Sequence, residues 1–439
     1  MKILLLHLNG GFDMRNYRTE NLGLGYIAST LRGDGHEVEI LDASMRWLSP
    51  KETVSEILAR EFDCLGVTAV QSNRELMMSV VRAVRKVKKN EIIIAGGYLP
   101  TLMTERLLSA CPELDFVVTG EGEQVAVDVF GRIQRGEDWR STPGIAYLDG
   151  NKPVINAHPP LVGDLDELPF PARDALNQAH PDAIVEGVIS GSRGCYHRCA
   201  FCSVNSFYSL AGGHAPRFRS AKSIVDELES VVESYGMRRW QFVDDDFVGP
   251  GEKGQQRAIS IGDEIASRGL KIEFTMECRA DETNVDTLKR LKEVGLTGVF
   301  LGIESGVQRQ LDTFNKRTTV EQNRRAIEAV REVDLTLQPG FILFDPYTTP
   351  EELQENMQFI REMGLESSIP PAERLNIRLF PGAPITDMVR KDGLLREKGM
   401  EMGYVFKDPR TRMMWSTMQF TAGCTRLFRK ISGTAESAK

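Results

Sequence analysis

Hydrophobic residues recur along the first 150 residues in two alternating patterns. Short apolar runs are typical of buried strands, and between them apolar residues stand three or four apart, as on one face of a helix. The predicted strands are Lys2–Leu8, Glu37–Leu41, Cys64–Thr68, Ile92–Ala95 and Phe116–Thr119. The predicted helices are Leu22–Arg32, Lys51–Arg60, Arg74–Lys89, Leu102–Ala110 and Gln124–Arg135. This alternation predicts an α/β fold with a parallel, doubly wound, Rossmann-like sheet.

The alternation resumes after residue 183 with a different spacing. Six strands are predicted at Ala183–Ser190, Arg239–Val243, Ile272–Glu277, Gly298–Ile303, Thr336–Leu343 and Leu375–Leu379. Five helices are predicted between them at Ala221–Tyr235, Gln255–Ser267, Val285–Val294, Val320–Val333 and Pro350–Met363. Such a series predicts an open, partial (βα)6 TIM barrel, whose active residues lie at the carboxyl ends of the strands.

A stretch rich in prolines and acids separates the two patterned regions. Its composition over residues 164–174 favours an extended segment laid over a surface. We therefore predict a Rossmann-like domain over 1–150, a linker over 151–182, the partial barrel over 183–380 and a short helical C-terminal extension over 381–439.

Charge and hydropathy narrow the classes of partner. The 439 residues include 54 Lys and Arg against 62 Asp and Glu, a formal net charge of −8, so general attraction to nucleic acid or an anionic membrane is not expected. No apolar run approaches the roughly 20 residues of a membrane span. The short apolar start, Met1–Leu6, reads as a strand and not as a secretion signal. We predict a cytoplasmic protein with no nucleic-acid or membrane partner.

Three cysteines follow the strand Ala183–Ser190 at a C-x3-C-x2-C spacing. They are Cys195, Cys199 and Cys202, and the aromatic Phe201 directly precedes the last of them. Three closely spaced thiolates can hold three irons of a cubane cluster. The fourth iron then lacks a protein ligand and can bind a substrate or a cofactor. We predict an iron–sulfur site at these cysteines.

Other readings of the cysteines fit less well. A structural zinc site prefers four ligands, and His197 lies too close to Cys199 for an obvious tetrahedral arrangement. Disulfides are not favoured, because seven cysteines is an odd number and four of them are scattered. Buried reduced cysteines would not need this spacing.

At this motif the chain resembles the radical S-adenosylmethionine (SAM) superfamily. The resemblance implies a [4Fe-4S] cluster held by Cys195, Cys199 and Cys202, with Phe201 beside the cofactor and SAM bound to the open iron. A reduced cluster then cleaves SAM to methionine and a 5'-deoxyadenosyl radical, which abstracts hydrogen from an unactivated carbon. The cofactor supplies the chemistry, and the protein positions and selects.

The first domain resembles the cobalamin-binding (B12-binding) domain found in one class of these proteins. The matching pieces are Asn21–Tyr26, Ala95–Gly97 and Thr119–Glu123, so Gly97, Gly120 and Glu121 are the expected cofactor contacts. Where that class usually shows Gly-Gly-x-His-x-Thr, this chain has the sequence of residues 96–101, Gly-Gly-Tyr-Leu-Pro-Thr. These features predict the fold and leave open whether cobalamin itself is bound.

Polar residues follow several predicted barrel strands. Asp244, Asp245 and Asp246 match the class pattern F-x-D-D-x-F, in which a carboxylate accepts hydrogen bonds from the ammonium group of SAM. An acidic turn, a helix cap or a divalent metal site are the alternatives. The remaining expected contacts to SAM are Arg279, Glu304 and Ser305, where Arg279 could equally form a structural ion pair.

Three residues are candidates for proton transfer or substrate contact. Asp245 follows the second barrel strand, and Tyr208 lies just after the cluster motif, with His214 nearby. Asp345 lies in the segment Phe341–Pro346, which departs from the usual superfamily sequence. We predict Asp245, Tyr208 and Asp345 as the catalytic residues.

These observations predict a radical SAM enzyme acting on a small natural-product molecule. We favour radical dehydration or deoxygenation of an aminosugar in antibiotic biosynthesis, by a lyase similar to the radical SAM diol-dehydratase of apramycin biosynthesis, because an acidic barrel mouth suits a cationic substrate. The alternatives are a cobalamin-dependent C-methyltransferase and an iron–sulfur protein that only transfers electrons. The expected partners are the substrate, an electron donor such as flavodoxin or ferredoxin, and conceivably a dedicated reductase.

Overall fold

The structure, a computed structural model, describes residues 1–9, 17–213 and 216–419. The predictions for His214 and for the chain after residue 419 lie outside these residues. The strands are β1 (Lys2–His7), β2 (Tyr17–Thr19), β3 (Glu37–Asp42), β4 (Cys64–Thr68), β5 (Ile92–Gly96), β6 (Phe116–Val118), β7 (Ile145–Asp149), β8 (Lys152–Ile155), β9 (Ile184–Ile189), β10 (Ser192–Arg193), β11 (Arg217–Phe218), β12 (Arg239–Phe242), β13 (Glu273–Arg279), β14 (Leu296–Glu304), β15 (Thr336–Phe341), β16 (Leu395–Lys398) and β17 (Glu401–Tyr404).

The helices alternate with these strands along most of the chain. They are α1 (Leu22–Gly33), α2 (Pro50–Leu58), α3 (Arg74–Arg85), α4 (Tyr98–Leu102), α5 (Thr104–Ala110), α6 (Glu123–Gln134), α7 (Val204–Ser209), α8 (Ala221–Tyr235), α9 (Gly251–Ser267), α10 (Val285–Glu293), α11 (Gln308–Thr313), α12 (Val320–Glu332), α13 (Pro350–Glu362) and α14 (Pro384–Lys391). None of the helices in the described ranges is both long enough and apolar enough to span a membrane.

The chain divides into two compact units. The first unit contains residues 1–196, 203–277 and 286–297, and the second contains 197–202, 278–285 and 298–439. The cysteine motif crosses this division, because Cys195 belongs to the first unit and the other two cysteines to the second.

The first unit contains the predicted doubly wound sheet. Its strand order is β3-β1-β4-β5-β6-β7-β8, and the pairs among β1, β3, β4, β5 and β6 are all parallel. The hairpin of β7 and β8, which was not predicted, extends this sheet with antiparallel strands as far as Ile155. A turn through Gly150, with φ +59°, connects the two hairpin strands.

Helix α1 shows how the hydrophobic pattern builds the core of this sheet. The side chain of Asn21 caps the helix by accepting from the backbone N–H of Leu24 at 2.9 Å. Leu24, Ala28 and Leu31 are buried in one cluster with sheet and α6 residues. Burying a leucine side chain of this kind stabilises the fold by roughly 1.5–3 kcal/mol relative to leaving it in water. The capped end of α1 is thereby fixed against the sheet.

A second set of parallel strands completes the first unit. Strand β9 pairs with β12 on one side, and β12 pairs in turn with β13. On its other side β9 pairs with β2, where Tyr17 faces Ile184. The short strand β2 lies between β1 and α1 in the sequence. The N-terminal region therefore supplies a strand beside β9.

The predicted sixth barrel strand, Leu375–Leu379, is wrong. This segment makes only an isolated bridge between Phe344 and Asn376. Leu375, Ile377 and Leu379 are buried and the residues between them are not, which is the alternation that suggested a strand. The ladder is only one pair wide, because the next hydrogen bond after Ile377 to Phe344 would need the N–H of residue 346, which is a proline.

The second unit contains the parallel pair of β14 and β15, whose register shifts between Gly302 and Glu304. Strands β16 and β17 form an antiparallel hairpin, and residues 409–419 are helical. The predicted helical extension therefore contains α14, then a hairpin that was not predicted, then a second helix.

Candidate active site

A cavity of about 410 Å³ lies in the first unit at the carboxyl ends of its parallel strands. Six glycines line it, namely Gly23, Gly66, Gly96, Gly97, Gly120 and Gly122. Gly97 has φ +98° and ψ −163°, a conformation that almost only glycine adopts. A Cβ there would lie 3.2 Å from Thr68 Oγ1 and 3.3 Å from the carbonyl of Ala69. The backbone thus leaves space where side chains would otherwise fill the strand ends.

Aromatic side chains form another part of the cavity wall. The ring of Tyr98, which begins α4, stacks on Phe207 of α7 with centroids 4.6 Å apart. Phe207 in turn packs edge-on against Tyr208. All three residues line the cavity. Burial and the nearby Asp245 carboxylate raise the pKa of Tyr208, so its hydroxyl keeps its proton at neutral pH.

Two acids and two arginines form an ion-pair network at the same cavity. Arg193 Nη2 donates to Glu123 at 2.6 Å and Arg193 Nη1 to Glu121 at 3.1 Å. Arg217 also binds Glu121, with distances of 2.9 and 2.7 Å. Despite burial, which acts in the opposite direction, the two arginines lower the pKa of Glu121. The predicted cofactor contact Glu121 is therefore an ionised acid held by two cations.

The three consecutive acids of 244–246 have different surroundings. Asp244 is buried and accepts from the backbone of Gly191 at 2.9 Å and from the hydroxyl of Ser192. Arg257 lies 3.5 Å from the same carboxylate. These contacts fix the segment that leads from β9 to Cys195, which gives Asp244 a positioning role in the loop.

Asp245 faces the cavity, and Asp246 is buried. The Asp245 side chain is exposed towards the cavity, but desolvation by the surrounding protein and the like charge of Asp244 together raise the pKa of Asp245 to about 7. The Asp245 carboxylate therefore changes its protonation near neutrality, in the same cavity as Tyr208. Asp246 Oδ2 would lie 2.5 Å from a Cβ added at Gly249, so the two are closely packed.

The cysteine motif lies in the loop between β10 and α7. Cys195, Cys199 and Cys202 are not joined in disulfides. In the second unit, the backbone N–H of Ala200 donates to Phe314 at 2.6 Å, and Asn315 donates to the carbonyl of Arg198 at 2.6 Å. Phe201 packs edge-on against Phe314 with centroids 5.5 Å apart. The aromatic before the last cysteine thus helps to fix the loop.

Cys199 contacts one buried cation of the second unit, Arg279, which bonds in turn to a second, Lys316. Arg279 Nη1 is 3.5 Å from Cys199 Sγ, and Arg279 Nη2 donates to the carbonyl of Lys316 at 2.6 Å. Asp281 accepts from Arg279 through both carboxylate oxygens, at 2.9 and 3.1 Å. Although burial acts against it, the charges of Glu304 and Cys199 raise the pKa of Lys316, which is therefore a cation.

Glu304 ends β14 in the left-handed conformation, with φ +63°. Its carboxylate accepts from Lys316 Nζ at 2.8 Å. The next residue, Ser305, is completely buried and bonds to Gln310 at 2.6 Å and Asn356 at 3.0 Å. Strained residues of this kind persist where their surroundings over-determine them, commonly at functional sites.

Asp345, predicted as a substrate contact, is completely buried. It accepts from Gln310 Nε2 at 2.8 Å, from the Thr348 hydroxyl at 3.0 Å and from the backbone of Tyr347 at 2.7 Å. The structure places Asp345 inside the polar network that supports Ser305, while Asp245 and Tyr208 share a cavity. The roles assigned to all these residues from the sequence stay predictions.

The donor set fits the implied cofactors. Three cysteines outside disulfides in one short loop, with a guanidinium at one sulfur, suit an anionic iron–sulfur cluster. The glycine-lined cavity leaves space for a large cofactor that approaches the backbone closely. Arg193 and Lys316 were not predicted as site residues. Their only signal in the sequence is their position, two residues before Cys195 and twelve residues after Glu304.

A parallel α/β domain with a cavity at its strand ends, followed by a cysteine loop at the end of a further parallel strand, defines a class of cofactor-dependent enzymes. The B12 binding domain family matches residues 12–130, and the Radical SAM superfamily matches residues 189–360. The chain belongs to the radical SAM superfamily and carries a B12-binding domain ahead of its radical SAM half-barrel. Membership of this superfamily implies SAM and a [4Fe-4S] cluster as cofactors.

Individual relatives extend the match across most of the chain. An uncharacterized methyltransferase of Pyrococcus horikoshii is 30% identical over 348 residues, covering 79% of this chain and 74% of that protein. An anaerobic magnesium-protoporphyrin IX monomethyl ester cyclase of Cereibacter sphaeroides is 27% identical, covering 81% of this chain but only 59% of the cyclase.

Among solved structures, the cobalamin-dependent SAM radical enzyme OxsB, with aqua-cobalamin and SAM bound, has the same fold. The TM-score is 0.81 at 21% identity, covering 99% of this chain and 69% of that chain. The predicted α/β fold, with its doubly wound domain and half-barrel, is confirmed by this likeness.

Proposed function

We propose that this chain is a cobalamin-dependent radical SAM methyltransferase that acts on a small molecule. The glycine-lined cavity at the strand ends of the first sheet carries the proposal. Cobalamin bound in this cavity would supply a transferable methyl group, and SAM at the cluster would supply a radical. The methyltransferase among the relatives supports the same choice.

The chain's own residues suit this reaction. Gly97 and Gly120 would let a flat cofactor approach the backbone, and the stacked rings of Tyr98 and Phe207 would exclude water from one wall. Asp245, ionised above about pH 7, would accept a proton from the substrate or hold a cationic group. Tyr208 beside it would donate a hydrogen bond.

The test is an anaerobic assay of reconstituted full-length protein with cobalamin, SAM labelled in its methyl group, a reductant and candidate small molecules. We expect bound cobalt, formation of both 5'-deoxyadenosine and S-adenosylhomocysteine, and a labelled product heavier by about 14 mass units, from the formula of one added CH₂. Bound cobalt without transferable methyl would contradict the proposal.

A cavity variant separates cobalamin binding from SAM cleavage. At Gly96 an added Cβ would meet only Val118, at ordinary contact distances of 3.9 and 4.0 Å, so Gly96→Leu should fold while occupying the cavity. We expect this variant to lose cobalt and methyl transfer while it still forms 5'-deoxyadenosine. Gly163→Leu, at an exposed position with nothing within 4 Å, is the matched control and should keep both.

Radical dehydration of an aminosugar, which the sequence favoured, is the second candidate. The acidic Asp245 in the cavity favours it, because a carboxylate can pair with an amino group and take up a hydroxyl proton. In that case the same assay would give 5'-deoxyadenosine without S-adenosylhomocysteine and a product lighter by about 18 mass units, the formula of water. Either reaction needs an external electron donor such as flavodoxin or ferredoxin.

A further inference from the structure

Two buried cations lie beside one cysteine of the cluster motif. Arg279 contacts Cys199 Sγ directly, and it donates to the backbone carbonyl of Lys316, which places the two cations next to each other. The side chains of Arg279 and Lys316 are only 6% and 5% exposed, so bulk water screens their charges weakly. Both belong to the same unit as Cys199.

Each cation is fixed by a partner acid. Asp281 holds Arg279 through two parallel hydrogen bonds, and Glu304 holds Lys316 through one. The hydrogen bond from Arg279 to the Lys316 carbonyl joins the two pairs. The cations are therefore set in place before any cluster binds, with an arginine N–H directed at the sulfur.

We propose that Arg279 and Lys316 are positioning residues that raise the reduction potential of the cluster held through Cys199. A cluster gains one negative charge when it accepts one electron from an external donor. Positive charge nearby and N–H donors at a ligating sulfur stabilise the more negative, reduced state. The inference rests on superfamily membership and holds whichever reaction follows.

The experiment is a redox titration of the reconstituted cluster in the full-length protein without SAM, followed by electron paramagnetic resonance. In Lys316→Met we expect the ratio of reduced to oxidised cluster at a fixed potential to fall about tenfold, the size of one charge acting through protein of intermediate dielectric. For a one-electron couple this corresponds to a potential about 59 mV lower. Arg279→Gln should shift the ratio in the same direction.

Removing a negative charge instead of a positive one should shift the reduction potential in the opposite direction. Glu304→Gln removes an acid and leaves Lys316 charged, so the potential should rise. Lys316→Arg keeps the charge and should stay close to the native value. Lys391→Met removes an exposed lysine on α14 and is the matched control, expected to cause no shift.

These outcomes separate a tuning role from a purely structural one. Fully assembled clusters with the native potential in both Lys316→Met and Arg279→Gln would overturn the proposal. Should the neutral variants fail to assemble a cluster, Glu304→Gln decides the question: a potential above that of Lys316→Arg supports the proposal, and an equal potential overturns it. Failure of the charge-keeping Lys316→Arg as well would assign both residues to packing and overturn the proposal too.

Discussion

Arg193 Nη2 lies 2.6 Å from Glu123 Oε1, in a pair that joins two functional segments of the first unit. Arg193 stands two residues before Cys195, and Glu123 begins the helix that follows the cavity loop of β6. The Arg193 guanidinium also lies 4.9 Å from the ring centre of Tyr26, another cavity residue. These contacts connect the start of the cysteine loop to residues that line the proposed cobalamin site.

Breaking this pair should destabilise the fold. Arg193→Met leaves Glu123, whose side chain is only 7% exposed, without its partner, and we expect a loss of about 3 kcal/mol in the free energy of unfolding. Urea denaturation of the apoprotein measures it. In the double variant with Glu123→Gln the loss should shrink by at least about 1 kcal/mol. Strictly additive losses would show that the two residues are not coupled.

The raised pKa of Asp245 predicts the pH dependence of turnover. Asp245 is protonated below about pH 7 and ionised above it, so activity that needs the carboxylate should rise through that value. Turnover measured between pH 5.5 and 8.5, or roughly that range, should lose this inflection in Asp245→Asn. The exposed Asp149→Asn is the control and should keep it. An unchanged inflection in Asp245→Asn would assign it to another group.

Much of this architecture follows from hydrophobic periodicity alone. The strand Cys64–Thr68 was predicted with its observed bounds, because a buried parallel strand is apolar at nearly every position. The hairpin of β7 and β8 was missed, since its strands are half-exposed and its Asp149-Gly150 turn lies where a linker was expected to begin. Short strands such as β2 carry too few residues for any period to show.

The sequence predicts the parts of the site that a local motif defines. It does not predict contacts between residues that are far apart along the chain. The cysteine spacing and the three acids of 244–246 are local patterns. The different surroundings of Asp244 and Asp245 depend on residues more than 45 positions away, such as Ser192. The contact between Arg279 and Cys199 spans 80 positions and leaves no local signal.

Gly97 should not tolerate a side chain. Its backbone conformation costs roughly 1–3 kcal/mol in any other residue, and its Cβ would press on Thr68 and Ala69. We expect Gly97→Ala to lower the free energy of unfolding by about 2 kcal/mol and to weaken cobalamin binding, measured by equilibrium dialysis.

Gly33→Ala is the matched control for Gly97→Ala. Gly33 ends α1, has no neighbour within 4 Å of an added Cβ and should be unaffected or stabilised by up to about 1 kcal/mol. Equal losses in the two variants would refute the requirement for glycine at position 97.

The buried network beneath Glu304 should depend on Asn356. Asn356 accepts from the Gly306 backbone at 2.8 Å and donates to Gln310 at 2.7 Å. Asn356→Leu leaves the buried Gly306 N–H without its acceptor and removes one of the two donors to Gln310, at an expected cost of about 3 kcal/mol in the free energy of unfolding. Gln358→Leu, on the exposed face of the same helix, should change it by less than about 0.5 kcal/mol in urea denaturation. Similar effects of both would show that the network contributes little.

Strand β2 connects the B12-binding region to the strand that precedes the radical SAM region. Residues 17–19 belong to the B12-binding region by sequence, yet they hydrogen-bond along β9, the strand that leads into the radical SAM region at residue 189. Excising the catalytic region alone would expose the backbone donors and acceptors of β9 to pairing with other molecules. Fusing this region to another protein would expose β9 in the same way. Recombination that exchanges the region would therefore have to include β2.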